Sequence, residues 1–261
     1  MKKKSNSGLV VGMLIGIIIM LVIVIALFAT DTISFNNNSN DSESTTNDEL
    51  INEQTENNSS SSELDNERYT SIIEEYRTAM NDDNYYDNMN KYSNINNIIV
   101  MYYHNHKKGY GEGVFLLKYT YYDINKDGKN EMIVISSSEG YEYNIAEIYI
   151  YDGSNSSPFV NEGCLGERCS AEIYNNGIIY FYGSGGAMIH GLHFYKIGND
   201  GYSKDTFKSF SVEYDSNRNV TITDNLMKEK TNYKNDEEVI SSVVGSARKV
   251  DLSKLSWIEI K

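Results

Sequence analysis

The chain has 261 residues, with 37 acidic against 23 basic side chains and a formal net charge of −14. A charge of −8 remains for residues 67–261 once the three lysines at the N-terminus and the nine acidic residues of positions 30–66 are left out. That balance argues against nucleic acid as a partner, because nucleic acid is bound through a basic surface. Residues 67–261 are numerous enough to build one hydrophobic core.

The first 29 residues combine a short basic tail with a long apolar run. Lys2, Lys3 and Lys4 lie in residues 1–8, and residues 9–29 contain no charged side chain. A helix of that length, rising about 1.5 Å per residue, matches the roughly 30 Å hydrocarbon core of a bilayer. The run predicts an N-terminal transmembrane helix that acts as a signal anchor. A cleaved secretory signal, whose apolar core usually spans about 7–15 residues, is the alternative.

The position of the lysines predicts how the chain is oriented. Basic residues flanking an apolar segment stay on the cytoplasmic side, so residues 1–8 form a cytoplasmic tail and the C-terminal domain is extracytoplasmic. The predicted localisation is the cell membrane, with a single pass. Gly8, Gly12 and Gly16 recur every fourth residue, a spacing that lets two membrane helices approach closely and predicts a weak homodimer. Glycine is also common in membrane helices that do not pair.

Residues 30–66 are almost entirely Asn, Ser, Thr, Asp and Glu, with no Lys or Arg. Such a segment buries too little apolar surface to offset the entropy lost on folding. The composition predicts a disordered acidic stalk between the membrane and residues 67–261.

Residues 67–261 carry the patterns of a β-rich domain. Ile72, Ile73, Tyr76 and Met80 recur at helical spacing and predict an amphipathic helix over residues 69–80. A second helix is predicted from Asn235 to about residue 248, because acidic residues follow this N-cap candidate. Short apolar runs predict strands at 98–103, 114–122, 132–136, 145–151, 171–174, 178–182, 192–197, 207–214, 220–223 and 255–260.

Four dipeptides between these runs favour turns with a positive φ at glycine: Asp127-Gly128, Asp152-Gly153, Asn176-Gly177 and Asp200-Gly201. Turns in series predict hairpins in series. The predicted fold class is therefore α+β, with a transmembrane helix, a disordered stalk and then a mainly antiparallel β-meander flanked by N- and C-terminal helices.

The segment between the second and third predicted strands carries the one motif with evident chemistry. Oxygen-bearing side chains alternate along it, a glycine follows at position 6, and calcium is bound by oxygen ligands in such loops. The predicted ligands of one calcium ion are Asp123, Asn125, Asp127, the carbonyl of Lys129, and Glu131. Position 12 is Val134, so the loop is not a helix-loop-helix calcium hand. The alternative is a hairpin whose Asp and Asn side chains bond their own backbone.

The loop resembles the Asp-x-Asp/Asn-x-Asp-Gly-x-x-Asp/Glu loops between strands of integrin-type repeats. Together with the preceding helix and the later Gly-rich Tyr/His segment, it is also similar to uncharacterised membrane- or lipid-anchored surface proteins of Gram-positive bacteria. Their loops usually read Asp-Ile-Asp-Gly-Asp-Gly-x-Pro-Glu-Leu, and the resemblance covers residues 69–260, with only the loop specific. That resemblance implies a calcium loop on a surface protein, and it implies no activity.

Cys164 and Cys169 are the two cysteines of the chain. In a domain outside the cytoplasm they are candidates for a disulfide, and two free thiols are the alternative. A metal site would need further ligands that do not accompany them.

Two classes of function fit these patterns. The first is a membrane-anchored extracytoplasmic binding or interaction module, calcium-stabilised, for an unidentified envelope or protein ligand. The second is a cell-envelope hydrolase whose site lies near the Gly-rich segment 183–193, where Ser184 and His190 occur. No catalytic set is recognisable, because a nucleophile elbow needs Gly-x-Ser-x-Gly, and His190 and His193 lack the spacing of a metalloprotease helix. The pattern favours the binding module.

Overall fold

A computed structural model describes residues 58–111, 113–138, 141–159, 168–198, 200–201 and 203–261. These residues belong to one compact unit, Asn52–Lys261. The predicted tail, the apolar run 9–29 and the first part of the stalk lie outside the described residues. Within the described part of the chain, no helix is both long and apolar enough to cross a membrane.

Among the described residues, three α-helices precede the first strand: α1 (Asn58–Met80), α2 (Tyr85–Asn88) and α3 (Asn97–Lys107). The predicted amphipathic helix is confirmed in α1, where Ile72, Ile73, Tyr76 and Met80 are buried. It begins at Asn58, however, so residues 58–66 are helical although the sequence placed them in the stalk.

The strand predicted over residues 98–103 is wrong, because these residues lie in α3. The side chain of Asn96 accepts hydrogen bonds from the amides of Ile98 and Ile99 at 3.1 and 3.3 Å. That N-cap satisfies amides that a helix start leaves unbonded. A short apolar run fits either a strand or a buried helix. Here the N-cap at Asn96 favours the helix.

The described strands form two antiparallel sheets. Sheet 1 has the order β11-β1-β2-β3-β4 and sheet 2 the order β10-β9-β8-β7-β6-β5. Sheet 1 comprises β1 (Leu116–Tyr122), β2 (Glu131–Ser138), β3 (Tyr141–Tyr151), β4 (Ser156–Pro158) and β11 (Ile258–Glu259). Sheet 2 comprises β5 (Cys169–Ile173), β6 (Ile179–Ser184), β7 (Ile189–Ile197), β8 (Lys204–Tyr214), β9 (Val220–Asp224) and β10 (Glu229–Lys230). A fourth helix, α4 (Asp236–Val244), and a 3₁₀ turn at Leu252–Lys254 lie between β10 and β11.

The predicted α+β class with a single antiparallel meander is therefore wrong. The described residues are mainly β, in two sheets with a few helices. The reason is visible in β2, where Met132 and Val134 pack towards α1 and α3 while Ile133 and Ile135 pack towards sheet 2. A strand that is apolar on both faces needs a covering layer on each side, and a single meander supplies only one.

Three hydrophobic clusters set the order of the layers. The first joins α1 and α3 to sheet 1. The second lies between the sheets and includes Ile148 of sheet 1 with Ile179 and Phe181 of sheet 2. The third joins sheet 2 to α4, where Val239 packs with Phe194. The layers therefore follow one another as helices, sheet 1, sheet 2 and helix.

The turn predictions are confirmed. Gly128, Gly153, Gly177 and Gly201 all have φ between 80° and 95°. The start of α4 is confirmed as well, because the side chain of Asn235 accepts a hydrogen bond from the amide of Glu238 at 2.9 Å. The helix ends at Val244 rather than near residue 248, since Gly245 at φ 63° turns the chain away.

Candidate functional site

The predicted calcium loop connects β1 to β2 at one end of sheet 1. Ile124 anchors it, because this side chain is buried in the cluster between the two sheets. The backbone then turns through left-handed conformations at Lys126 and Gly128, with φ of 64° and 85°. The asparagine and the two aspartates of the loop therefore surround a tight turn.

The oxygens of these three side chains point into the loop. The two carboxylate oxygens of Asp123 accept hydrogen bonds from the amides of Asp127 and Gly128, at 3.2 and 3.0 Å. Asn125 Oδ1 accepts from the amide of Asp127 at 3.2 Å, and Asp127 Oδ1 accepts from the amide of Lys129 at 2.8 Å. These bonds fix where the oxygens lie, and each oxygen keeps further acceptor capacity.

Glu131 closes the loop from inside the protein. Its side chain is 3% exposed, and its Oε2 accepts a hydrogen bond from the amide of Ile124 at 2.8 Å. Burial, together with the negative charges of Asp123 and Asp127, raises the pKa of the Glu131 carboxyl to about 8. Among the described residues, no Lys or Arg forms an ion pair with these three carboxylates.

The loop also contacts the neighbouring layers. The Tyr69 hydroxyl of α1 donates a hydrogen bond to the carbonyl of Asn130 at 3.0 Å. From sheet 2, the turn at Gly177 approaches Ile124, and a Cβ added there would lie 3.2 Å from the Ile124 carbonyl oxygen. The turn at Gly201 approaches Asp127 so closely that an added Cβ would lie 2.9 Å from its Oδ2. The loop thus joins α1, sheet 1 and two turns of sheet 2.

The predicted ligand set fits a hard cation in its chemistry, since it is made of oxygen donors alone. All five predicted residues, Asp123, Asn125, Asp127, Lys129 and Glu131, lie in this one loop. In the described part of the chain, however, no group of three or more His, Cys, Asp or Glu side chains is placed to hold a metal ion. Calcium binding by this loop stays a prediction.

A cleft of about 560 Å³ lies where the end of sheet 1 meets β5, β6 and α3, and the sequence did not indicate it. Its lining combines aromatic rings, neutral polar groups and one cation. The lining residues are Ile99, Tyr102, His106, Phe115, Ser136, Ser138, Asn144, Arg168, Cys169, Ser170 and Tyr182. They come from both sheets and one helix, so no local pattern in the chain could reveal them.

Cys169, at the start of β5, is disulfide-bonded. Cys164, the other cysteine of the sequence, lies outside the described residues, and its pairing with Cys169 stays a prediction. Alkylation of the folded protein should modify two thiols only after reduction, since a disulfide does not react with the reagent. Two thiols that react before reduction would contradict the pairing.

The Gly-rich segment forms the end of β6 and the start of β7. Ser184 and His190 lie opposite each other across these strands. The Ser184 hydroxyl donates to the carbonyl of Gly186 at 3.3 Å, and His190 Nε2 lies 2.8 Å from Asp236 Oδ2 of α4. His193 bonds the hydroxyl of Ser209 at 2.9 Å. Within the described residues, Ser184 and His190 form no hydrogen bond with each other, and both histidines lie in β7.

Comparison with family models, with curated proteins and with solved structures finds no match for this chain.

Proposed function

We propose that the protein is an extracytoplasmic binding module, attached to the membrane through residues 9–29 and stabilised by one calcium ion in the loop from Asp123 to Glu131. One observation supports a bound cation in this loop. The buried carboxylate of Glu131 shares a nine-residue loop with Asp123 and Asp127, without an ion pair to any described Lys or Arg. A divalent cation would offset the repulsion among the three carboxylates.

The position of the loop supports a structural role for that cation. Because the loop contacts α1 and the turns at Gly177 and Gly201, a cation that held it would also hold sheet 1 against its neighbours. A ligand that binds only the folded state stabilises it in proportion to RT ln(1 + [L]/Kd). Calcium binding here would therefore stabilise the whole described fold.

The cleft supports binding rather than hydrolysis. Its aromatic and neutral polar lining is typical of sites that hold small ligands. The hydrolase reading rests on Ser184 and His190, whose polar atoms bond Gly186 and Asp236 instead of each other. A nucleophilic serine needs a base within hydrogen-bond reach, so the binding module is the better supported function.

Proteolysis of intact cells tests both parts of this proposal. Added protease should cut within residues 31–57 and release a resistant fragment that begins near Asn58, because the folded helix α1 starts there. The fragment should resist digestion in millimolar calcium and be degraded faster with a chelator, since losing the cation raises the population of open states.

The controls separate the two parts. Permeabilised cells, in which protease reaches both sides of the membrane, should give the same fragment. Protection of residues 31–57 in intact cells would contradict the orientation. A fragment equally resistant with calcium and with chelator would contradict the role of the cation, and leave the attachment unaffected.

A further inference from the structure

Four aromatic rings line the cleft between the two sheets. Tyr102 and His106 come from α3, Phe115 precedes β1, and Tyr182 lies on β6. The rings of His106 and Phe115 stack at a centroid distance of 5.0 Å with an interplanar angle of 27°. Flat apolar faces of this kind pack against the C–H faces of a ring-shaped ligand.

Gly111 lies directly against the ring of His106. A Cβ added at Gly111 would lie 2.2 Å from Cε1 of His106, so only glycine leaves room for the imidazole here. The Nδ1 atom of His106 is buried and makes no hydrogen bond within the described structure. A buried polar atom of this kind favours a ligand that supplies the missing hydrogen bond.

The lining of the cleft also carries small neutral polar groups. Ser136 of β2 is paired directly with Asn144 of β3. The register between these two strands shifts between Val134 and Ile135 and again between Ser136 and Ser138. Irregularities of register redirect side chains and are frequent beside binding sites. On sheet 2, Ser170 lies opposite Tyr182 and adds another hydroxyl.

The charge of the lining differs from that of the domain. Among the described lining residues Arg168 is the one charged side chain, and none is an Asp or Glu. The domain around it is acidic, with −8 over residues 67–261. A guanidinium recognises a carboxylate through paired hydrogen bonds. Arg168 therefore gives the described lining of the cleft one group that can recognise an anion.

We propose that this cleft binds a sugar that bears a carboxylate, of the hexuronic acid class. The aromatic rings pack on the pyranose ring, the serines and Asn144 bond its hydroxyl groups, and Arg168 pairs with its carboxylate. A volume of about 560 Å³ accommodates a ligand of one or two sugar rings. This inference rests on the proposed function as a binding module and names the ligand class of that module.

Saturation-transfer difference NMR on the full-length, oxidised chain, in a detergent without a sugar headgroup, tests the proposal. The probes are D-glucuronate and D-galacturonate at millimolar concentration, with D-glucose as the uncharged match and benzoate as an aromatic carboxylate. At least one uronate should bind, at least tenfold more tightly than glucose and benzoate. Arg168→Gln should weaken uronate binding at least tenfold, because the neutral amide of glutamine cannot replace the charged guanidinium, which bonds a carboxylate through two N–H groups.

Arg248→Gln provides the matched control, since Arg248 is exposed in the segment after α4 and does not line the cleft. This variant should bind as the wild type does. Failure of both uronates to bind, equal binding of glucose or benzoate, or uronate binding unchanged in Arg168→Gln would each overturn the proposal.

The result is separable from the test of the proposed function. If the protein binds a uronate but does not respond to calcium, the proposed calcium site is wrong and the proposed ligand of the cleft stands. If the protein is membrane-attached and responds to calcium but binds neither uronate, only the proposed ligand class is wrong.

Discussion

Replacing Asp127 with alanine is expected to abolish the stabilisation of the protein by calcium. In the wild type, calcium at about 100 times its Kd should raise the free energy of unfolding by about 2.7 kcal/mol. Asp127 is central to the response because its carboxylate bonds the amide of Lys129 and lies against the turn at Gly201. Thermal melts of the two proteins, in chelator and in millimolar calcium, measure the difference.

Magnesium and a second variant provide the controls. Magnesium should raise the melting temperature less than calcium, because it requires a tighter octahedral shell and loses its waters reluctantly. Asp83→Asn removes an exposed carboxylate in the turn after α1 and should leave the calcium response intact. If Asp127→Ala responds to calcium as the wild type does, the loop does not bind the ion.

Replacing Glu131 with glutamine is expected to change how stability depends on pH in the absence of metal. The pKa of Glu131 is about 8 in the folded protein against an ordinary value of 4.5, so the folded state retains a proton that the unfolded state loses. Stability from this group is therefore complete below about pH 4.5 and declines as the pH rises to about 8. The slope can approach about 1.4 kcal/mol per pH unit.

Glutamine has the shape of the protonated acid and can still accept the hydrogen bond from the amide of Ile124. Glu131→Gln should therefore flatten the pH dependence and stabilise the metal-free protein above neutral pH. Urea unfolding in chelator, from about pH 5 to about pH 8, measures the effect. Identical pH profiles for the two proteins would contradict the assignment.

Calcium should weaken this dependence in the wild type. Metal ligands must be deprotonated, so calcium competes with the proton on Glu131 and stabilises the protein more at about pH 8 than at about pH 5. Glu131→Gln should show a weaker calcium response at both values, because the ligand that replaces the carboxylate is neutral.

Local features of the fold were predictable because local chemistry decides them. Gly128 and Gly201 follow an aspartate, and both adopt the positive φ that the dipeptides indicated. Asn235 caps α4 as its sequence context suggested. The same reasoning fails over residues 98–103, where the apolar run suits a strand and a helix equally and the cap at Asn96 outweighs the strand pattern.

The arrangement of the strands in two sheets was not predictable from hairpins in series. The order of strands in a meander follows from the turns between them. The division of the strands into two sheets depends instead on which strand faces pack against each other. One signal in the sequence was the unbroken apolar run from Met132 to Ile135, since a strand with one face in solvent alternates apolar and polar residues. That run indicated a strand covered on both sides.

The two candidate sites differ in the same way. The calcium loop was predictable, because its residues lie at a fixed spacing along nine positions. The cleft was not, because His106, Asn144 and Arg168 are separated by dozens of residues and meet only when α3 and the two sheets pack together. Sites that are assembled by tertiary packing leave no short motif.

Equilibrium dialysis of the full-length protein against radioactive calcium tests the central claim most directly. We expect one ion bound per chain in the millimolar range or below, with binding lost in Asp127→Ala and retained in Asp83→Asn. No bound calcium at millimolar concentration, or one ion that remains in Asp127→Ala, would contradict the account.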